Sequence, residues 1–511
     1  MAFEVKNALT EKELEKGLHE VVKDGLTSQA MVTLTGGAFL VAFALKLGAS
    51  NLVIGLLAAI PALAQLLQVP SIYLIQKVQN RRAISVVGAA LSRLPWLLVA
   101  LIPFLFSREG GLACLLAALT VNGVFTAAVS ASWSSWMRDL VPLERLGSFF
   151  SRRLSLATAL ATALSLAAAI LLDLWGNYLP QYELHAYSVL FFVGCGVGML
   201  GVYYISRIPE PRMAPMQRGF LRLIIQPLRD VNFRNLIRFL GPWNFAVNLA
   251  APFFVVYMFK QLGMRMSSVM GLTALSQLMN FAFLRAWGRL SDRFSNKSVL
   301  AVSGPLFMLC ILGWTFTTLP GWYTLTVPLL IGLHVFMGIS TAGVTLASGN
   351  IGLKLAPRGE ATSYLVASNL VNSLAAGLGP ILGGRLADYF AKRELTWTVT
   401  WKGPGGEFSQ PTLDLQHWDF VFFIAFAIGL YSIHRLSMVK EVGEVKEKIV
   451  IRELIAESWM RVRNLSTAAG IRQMLQIPLL LFKQLAGRRP EPEDEMSENP
   501  GESSTSPDGS E

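Results

Sequence analysis

The sequence predicts an all-α membrane protein: twelve transmembrane helices in two six-helix bundles. Three observations predict it. Of 511 residues, 53% are hydrophobic and 15% charged, with a mean hydropathy of +0.48; a chain whose surface must be solvated is rarely so apolar. The apolar residues come in long blocks, and Leu154 to Leu172 contains no charge at all. A helix needs roughly 20 such residues to cross a bilayer with its backbone satisfied internally. The third observation is a repeat: the order of motifs in the first half recurs in the second.

Spans are expected near 27–48, 51–75, 83–106, 112–137, 148–174, 185–206, 232–260, 268–290, 298–318, 322–350, 361–390 and 418–437. Residues 1–26 are charged and helix-like, with Thr10 and Glu13 spaced as a capping box, and are expected to be a separate cytoplasmic helix. They hold no apolar core of signal-peptide type. Residues 207–231 are the longest connection between spans on the cytoplasmic side, separating an N-terminal bundle (27–206) from a C-terminal one (232–437). Within 438–489, Ile449, Ile451, Leu454, Ile455 and Trp459 recur near helical spacing among Arg and Glu, which suits an interfacial helix that Pro478 breaks. Residues 490–511 carry eight acids and no base, the composition of a disordered tail.

The repeat has a register. Ile72-Tyr-Leu-Ile-Gln76-Lys77-Val-Gln-Asn80-Arg81 follows the second span, and Gly288-Arg-Leu-Ser-Asp292-Arg293-Phe-Ser-Asn296-Lys297 follows the eighth. Downstream, Leu140-Val-Pro142 and Leu355-Ala-Pro357 each join two spans. Gln76 to Pro142 is 66 residues and Asp292 to Pro357 is 65. A parallel repeat of six helices is what a rocking two-bundle carrier requires.

The net charge of +11 is distributed by side. Lys77, Arg81, Arg82, Arg138, Arg145, Arg152, Arg153, Arg285, Arg289, Arg293, Lys297, Lys354 and Arg358 fall in connections on the side of the N-terminus, with seven more arginines between Arg207 and Arg238. The opposite side has little beyond Arg108, Lys260, Arg265, Lys392, Arg393 and Lys402. This is the positive-inside bias, and Trp175, Trp322 and Trp418 mark the other interface. It places both termini in the cytoplasm of a plasma membrane, expected to be a bacterial inner membrane, and argues against a nucleic-acid partner. Cys114, Cys195 and Cys310 lie in apolar blocks, so no disulfide framework is implied. No phosphate-binding Gly-x-x-x-x-Gly-Lys-Ser/Thr loop, His-Glu-x-x-His, Gly-x-Ser-x-Gly or metal-spaced Cys/His cluster occurs, so neither an enzyme nor a cofactor or metal is expected.

Twelve spans in two halves and the Gly288-x-x-x-Asp292-Arg293 loop resemble the major facilitator superfamily over about residues 27–437. The resemblance implies a secondary transporter that alternates access by rocking its bundles. It implies that Asp292 and Arg293 help close the cytoplasmic side against the start of the fifth span near Ser148. In the first half Gln76 and Ile72 stand where the pattern has Asp and Gly, which implies a weaker or differently built gate. Gly379-Pro380-Ile-Leu-Gly383-Gly384 looks like the family's helix-bending element, placed here in the eleventh span. The antiporter branches carry that element in the fifth span, and proton-coupled exporters carry an Arg in the fourth, where Leu119 stands here; both departures lower the drug-efflux antiporter reading. Trp133-Ser-Ser-Trp136-Met-Arg138-Asp139-Leu-Val-Pro142 resembles uncharacterised bacterial permeases.

In that architecture the first, fourth, seventh and tenth helices line the central cavity. Asn122, Thr126, Ser130 and Trp133 share one face of the fourth; Asn244 and Asn248 share one beside Trp243 on the seventh. His334, Gly338, Thr341 and Thr345 form a stripe on the tenth, and the first offers Thr33, Gly36 and Gly37. These are the candidate solute-binding residues, the bland alternative being that small polar residues only hold helices together. Gln65, Gln68, Gln277, Asn280, Asn369 and Asn372 border the same space. Arg93 falls about 15 Å into the third span, where a bond to a carbonyl is the expected role. With no Asp or Glu at mid-depth, His334 is the candidate proton-coupling group. The expected partners are a small neutral or amphipathic solute, membrane lipids and, if transport is coupled, an ion; the chain is expected to be monomeric. A transporter-like receptor or lipid scramblase is the competing reading.

Overall fold

The computed structural model describes residues 5–6, 9–142, 145–213, 226–317, 325–357, 361–404 and 406–465. The expected acidic tail, Pro478, Trp322, Arg358 and much of the central connection lie outside them. Among the described residues, twelve helices are long and apolar enough to cross a membrane. The first six run Glu11–Lys46, Asn51–Val78, Arg81–Ala100, Arg108–Leu140, Leu146–Tyr178 and Pro180–Ile205. The second six run Val231–Lys260, Met266–Arg293, Asn296–Phe316, Thr326–Leu355, Ser363–Phe390 and Trp418–Leu436. All belong to one compact unit, Met1–Ile451. A helix at Glu447–Leu465 leads into a second unit, of which residues 452–465 are described.

The helix expected within residues 1–26 is not separate from the first span. Thr10 and Glu13 form the expected capping box, with Glu13 N donating to Thr10 Oγ1 and Thr10 N to Glu13 Oε2. From there the helix runs unbroken to Thr35. The break comes deeper, at Gly36 and Gly37, where Gly37 takes φ +56°, a left-handed backbone that a side chain would strain. A second piece, Gly37–Lys46, completes the span. Prolines lie inside other spans: Pro61 in the second, Pro242 and Pro252 in the seventh, Pro305 in the ninth and Pro380 in the eleventh.

Among the described residues, four strands accompany the helices. At the end of the molecule that bears the N-terminus, called here the termini end, β1 (Val5–Lys6) pairs in parallel with β2 (Glu210–Pro211). At the opposite end, β3 (Glu394–Gly403) and β4 (Gly406–Gln416) form an antiparallel hairpin between the last two spans, a stretch that helical periodicity leaves as a plain connection.

Each bundle ties its last connection back to its own third helix by a carboxylate. Glu210 accepts from the backbone N–H of Arg81 at 2.6 Å and of Arg82 at 3.0 Å. Glu441 accepts from Asn296 N at 3.1 Å, Asn296 Nδ2 at 2.9 Å and Lys297 N at 2.7 Å. Both carboxylates are buried and neutralise helix N-termini whose N–H groups have no partner within the helix. Arg81 and Asn296 stand 215 residues apart, as do Pro142 and Pro357. Glu210 and Glu441 stand 231 apart, the β3–β4 insertion accounting for the difference.

The same contacts draw two of the connection charges into the fold. Arg81 is fully buried, bonded to Glu210, Asp139, the Ser135 carbonyl and the Pro211 carbonyl. Arg82 donates to the Ser206 carbonyl. Around them Val21, Trp136, Met137, Leu140, Ile205 and Ile208 form a core that joins the first and fourth spans to the chain at the end of the sixth.

Replacing Glu441 by Ala should cost about 1–2 kcal/mol, the usual worth of a helix N-cap. The thermal midpoint of Glu441→Ala in lipid nanodiscs should fall by a few degrees, and Glu441→Gln should lie between it and the parent. An unchanged midpoint would show that the cap holds nothing.

Candidate functional site

The two bundles meet at the hairpin end through two matching locks. Asp388, near the end of the eleventh span, accepts from the backbone N–H of Asn51 at 3.0 Å and of Leu52 at 2.8 Å, the first turn of the second span. Asp173, near the end of the fifth span, accepts from Met266 N at 3.1 Å and Ser267 N at 2.9 Å, the first turn of the eighth. Each carboxylate therefore caps a helix of the other bundle. Asp173 and Asp388 stand 215 residues apart, and so do Asn51 and Met266. The lock is made twice by the repeat.

Small residues let the backbones close around the first lock. A Cβ on Gly55 would collide with the Pro380 carbonyl, and one on Gly384 with the Asn51 carbonyl. Gly379 and Gly383 face the seventh span in the same way, meeting Phe245 O and Leu249 O. The Gly379-Pro380 element thus lets the eleventh helix lie close on a neighbour in its own bundle and on a helix of the other. At the termini end, Gly147, Gly288 and Gly349 have open space where a side chain would point. Asp292 and Ser148 are both exposed, and Ser148 donates within its own turn to the Arg145 carbonyl. The expected Asp292–Ser148 contact is not made in this structure. Arg293 lies over the neighbouring Phe294 ring, and Gln76 is half-buried. Among the described residues, the two locks that join the bundles lie at the hairpin end, its closed end.

His417 completes the first lock. Its backbone is left-handed, φ +48°, and its Nε2 lies 3.2 Å from Asn51 Nδ2. Asn51 Nδ2 also donates to Asp388, and Asn51 Oδ1 accepts from Trp418 Nε1, which fixes the amide orientation. An amide nitrogen only donates, so His417 Nε2 accepts and the ring is neutral. Burial pushes the His417 pKa down to about 4, Lys260 pushes the same way and Asp388 opposes.

The polar residues expected to meet at mid-depth are only partly brought together. Asn244 Nδ2 donates to the Leu240 carbonyl and to Asn372 Oδ1, both at 2.9 Å, and Asn248 Nδ2 donates to the Asn244 carbonyl at 2.7 Å. This places three half-buried amides on the seventh and eleventh spans. Gln65 and Gln68, bonded to each other, lie on the second span, which packs against the eleventh. Asn122 instead turns to the third span, donating to the Ser92 carbonyl at 2.7 Å. Thr33 and Thr341 bond back to the Gln29 and Met337 carbonyls of their own helices, and Thr126 is half-buried. Trp133 packs edge-on against Phe150 beneath the Arg153 guanidinium. Trp243 is buried between Phe239 and Phe307 in the second bundle. His334 is buried there too, its Nδ1 2.8 Å from the Leu330 carbonyl and its ring edge-on to Trp314.

Arg93 reaches the Gly198 carbonyl, the kind of partner expected, and donates to Ser28 Oγ at 2.8 Å. It also lies 3.9 Å from Asp24, with Arg153 4.0 Å from the other oxygen of that buried carboxylate. The first, third and fifth helices share this charge cluster. Asp24 escaped the search for embedded acids because it falls in the segment assigned to a cytoplasmic helix. Asp173 and Asp388 escaped because a carboxylate near a helix end reads as solvated. Their shared offset of 215 was the signal that could have found them.

Each lock should hold the closed end by roughly 1–2 kcal/mol, as capping carboxylates at helix N-termini do, so about tenfold in the balance of open and closed forms. Asp173→Ala and Asp388→Ala should each raise thiol labelling of a Leu52→Cys reporter, and the double variant should raise it more; equal labelling in all forms would show that the carboxylates hold nothing shut. Because the His417 pKa is depressed on folding, the unfolded chain takes up its proton first. Stability is full above about pH 6.5 and is lost as the pH falls towards about 4. The thermal midpoint should drop across that window, and His417→Gln should flatten the drop; identical pH profiles would remove His417 from the lock.

The family model of the Major Facilitator Superfamily matches residues 25–380 and 244–483. An uncharacterised MFS-type transporter of Bacillus subtilis (strain 168), YxiO, is 22% identical over 278 residues, which are 52% of this chain and 62% of the relative. The chain thus matches less than two thirds of the length of that relative. Among solved structures, the nucleoside transporter NupG superposes with a TM-score of 0.60 at 11% identity, covering 84% of this chain and 99% of that one. A D-xylose–proton symporter superposes with a TM-score of 0.57 at 14% identity, covering 85% and 99%. The all-helical fold, the paired locks of its two halves and a family match over most of the length agree: the chain belongs to the Major Facilitator Superfamily of membrane transporters.

Proposed function

We propose that the protein carries a small, neutral, hydrogen-bonding solute across a bacterial plasma membrane by rocking residues 27–206 against 232–437, with both termini in the cytoplasm. The duplicated cross-bundle lock carries this reading. Two helix-capping carboxylates join the bundles at one end, which this reading takes as the shut end with the other open, and bonds of this strength are readily exchanged for an equivalent set when the other end closes. Asp292, Arg293, Gly288 and Gln76 sit at the open end, and the Asp292 contact with the fifth span belongs to the opposite state. The excess of Lys and Arg at the termini end supports its cytoplasmic placement.

The solute class follows from the amides. Asn244, Asn248 and Asn372 offer donors and acceptors without net charge, which suits hydroxyls and ring amides rather than an ion. The nucleoside transporter and the xylose symporter that share the fold are named for solutes of that kind. His334 donates its Nδ1–H to the Leu330 carbonyl and lies buried against the Trp314 ring, where a charged imidazolium is costly, so the reading favoured is a carrier that does not use it.

A thermal-shift screen of the protein in nanodiscs with nucleosides, pentoses and hexoses should find a solute that raises its midpoint. Asn372→Ala, or Asn244→Ala with Asn248→Ala, should weaken that solute at least tenfold while the ligand-free midpoint stays within a few degrees. An unchanged shift would take the amide cluster out of the site. Failure of proteoliposomes to move any solute of the screen would overturn the proposed solute class.

A further inference from the structure

The β3–β4 hairpin is amphipathic in a way that its own fold does not use. Alternate positions of β3 are Leu395, Trp397, Val399 and Trp401, and the register opposes them with Leu415, Leu413, Gln410 and Phe408. The positions between are Thr396, Thr398, Thr400 and Lys402, opposed by Asp414, Pro411, Ser409 and Glu407. A bulge between Trp397 and Thr398 keeps the two sets on separate faces. The polar face closes on itself: Lys402 pairs with Glu407 at 3.3 Å across the strands, and Thr400 Oγ1 lies 3.2 Å from Ser409 Oγ. On the apolar face Leu415 is buried at the base, and towards the tip the described side chains are uncovered. Trp401 is 74% exposed, Phe408 63% and Val399 53%. Among the described residues the hairpin packs on itself and, at its base, on the start of the twelfth span.

A two-stranded hairpin alone is marginal in water, and an uncovered aromatic face adds to the cost. Its connections say what covers that face. β3 begins four residues after Phe390 ends the eleventh span, and β4 ends one residue before His417 leads into Trp418 and the twelfth span. Phe390 stacks on Phe420 at 4.3 Å between ring centroids, closing the two spans beneath the hairpin. The ribbon therefore emerges at the bilayer surface with its ends pinned there, the depth at which Trp and other amphipathic aromatics are most stable.

We infer that the β3–β4 hairpin is a membrane-surface element whose apolar face, with Trp401, Phe408 and Val399, rests in the headgroup region of the leaflet at the hairpin end. Its polar face, with Thr400, Ser409 and the Lys402–Glu407 pair, looks to water. The hairpin then anchors the outer ends of the last two spans beside the Asp388 lock.

The test reads the alternation along β3. A fluorophore is placed at Thr398→Cys, Val399→Cys, Thr400→Cys or Trp401→Cys in full-length protein, in nanodiscs that hold one copy and contain lipids spin-labelled near the headgroup. The labelled parent chain, whose three cysteines lie in the spans, gives the blank. Labels at 399 and 401 should be quenched at least threefold more than labels at 398 and 400. A Thr400→Cys, Ser409→Cys pair should form a cross-strand disulfide, confirming that the hairpin is present. Quenching equal at all four sites, or absent while the disulfide forms, would overturn the inference; so would failure of the disulfide. Alternation that appears only when two copies share a disc would assign the face to a second chain and equally overturn it.

Discussion

A carboxylate brought from a distant part of the chain onto the first turn of a helix recurs four times among the described residues, and the arrangement of the twelve helices depends on it. The first N–H groups of a helix have no partner within it and concentrate positive potential at that end. An acid placed there satisfies two donors at once. Glu210 and Glu441 do so inside a bundle; Asp173 and Asp388 do so between bundles. One bond type, used in two places, builds two bodies and then joins them.

The distinction has a mechanical consequence. The caps within bundles are backed by buried contacts: Arg81 is enclosed by Glu210, Asp139 and two carbonyls, and Asn296 is held by Ser291 and Glu441 together. The caps between bundles lie at the rim of the molecule, where water can replace a carboxylate oxygen at little cost. Two locks of roughly 1–2 kcal/mol each favour one closed end by about a hundredfold or somewhat more, at 1.4 kcal/mol per decade. A carrier needs that range, since a much stronger seal would trap one state.

Symmetry explains why the locks come in a pair, and its breakage shows where the halves have separate tasks. The same offset relates Asn51 to Met266 and Asp173 to Asp388. Only the first lock carries His417 and Trp418, because only the second half inserts a hairpin between its last two spans. The amide cluster is likewise confined to the second half, on the seventh and eleventh spans. In the first half stand Arg93, Arg153 and Asp24, joined in a buried ionic cluster.

The sequence by itself determined the number of spans, their division into two halves and the register that relates them. Each of these follows from local quantities: the length of an apolar block and the spacing of a motif. It also identified Asn244 and Asn248 as a shared polar face, because helical spacing alone puts residues four apart together. Only the tertiary structure decided which partners the polar groups take. Asn122, Trp243 and His334 occupy equally plausible positions in the sequence, yet each turns into its own bundle because a carbonyl or an aromatic ring waits there. Only the tertiary structure, too, gave Asp173 and Asp388 their role, since a helix N-terminus from the other half of the chain is a partner that no local pattern announces.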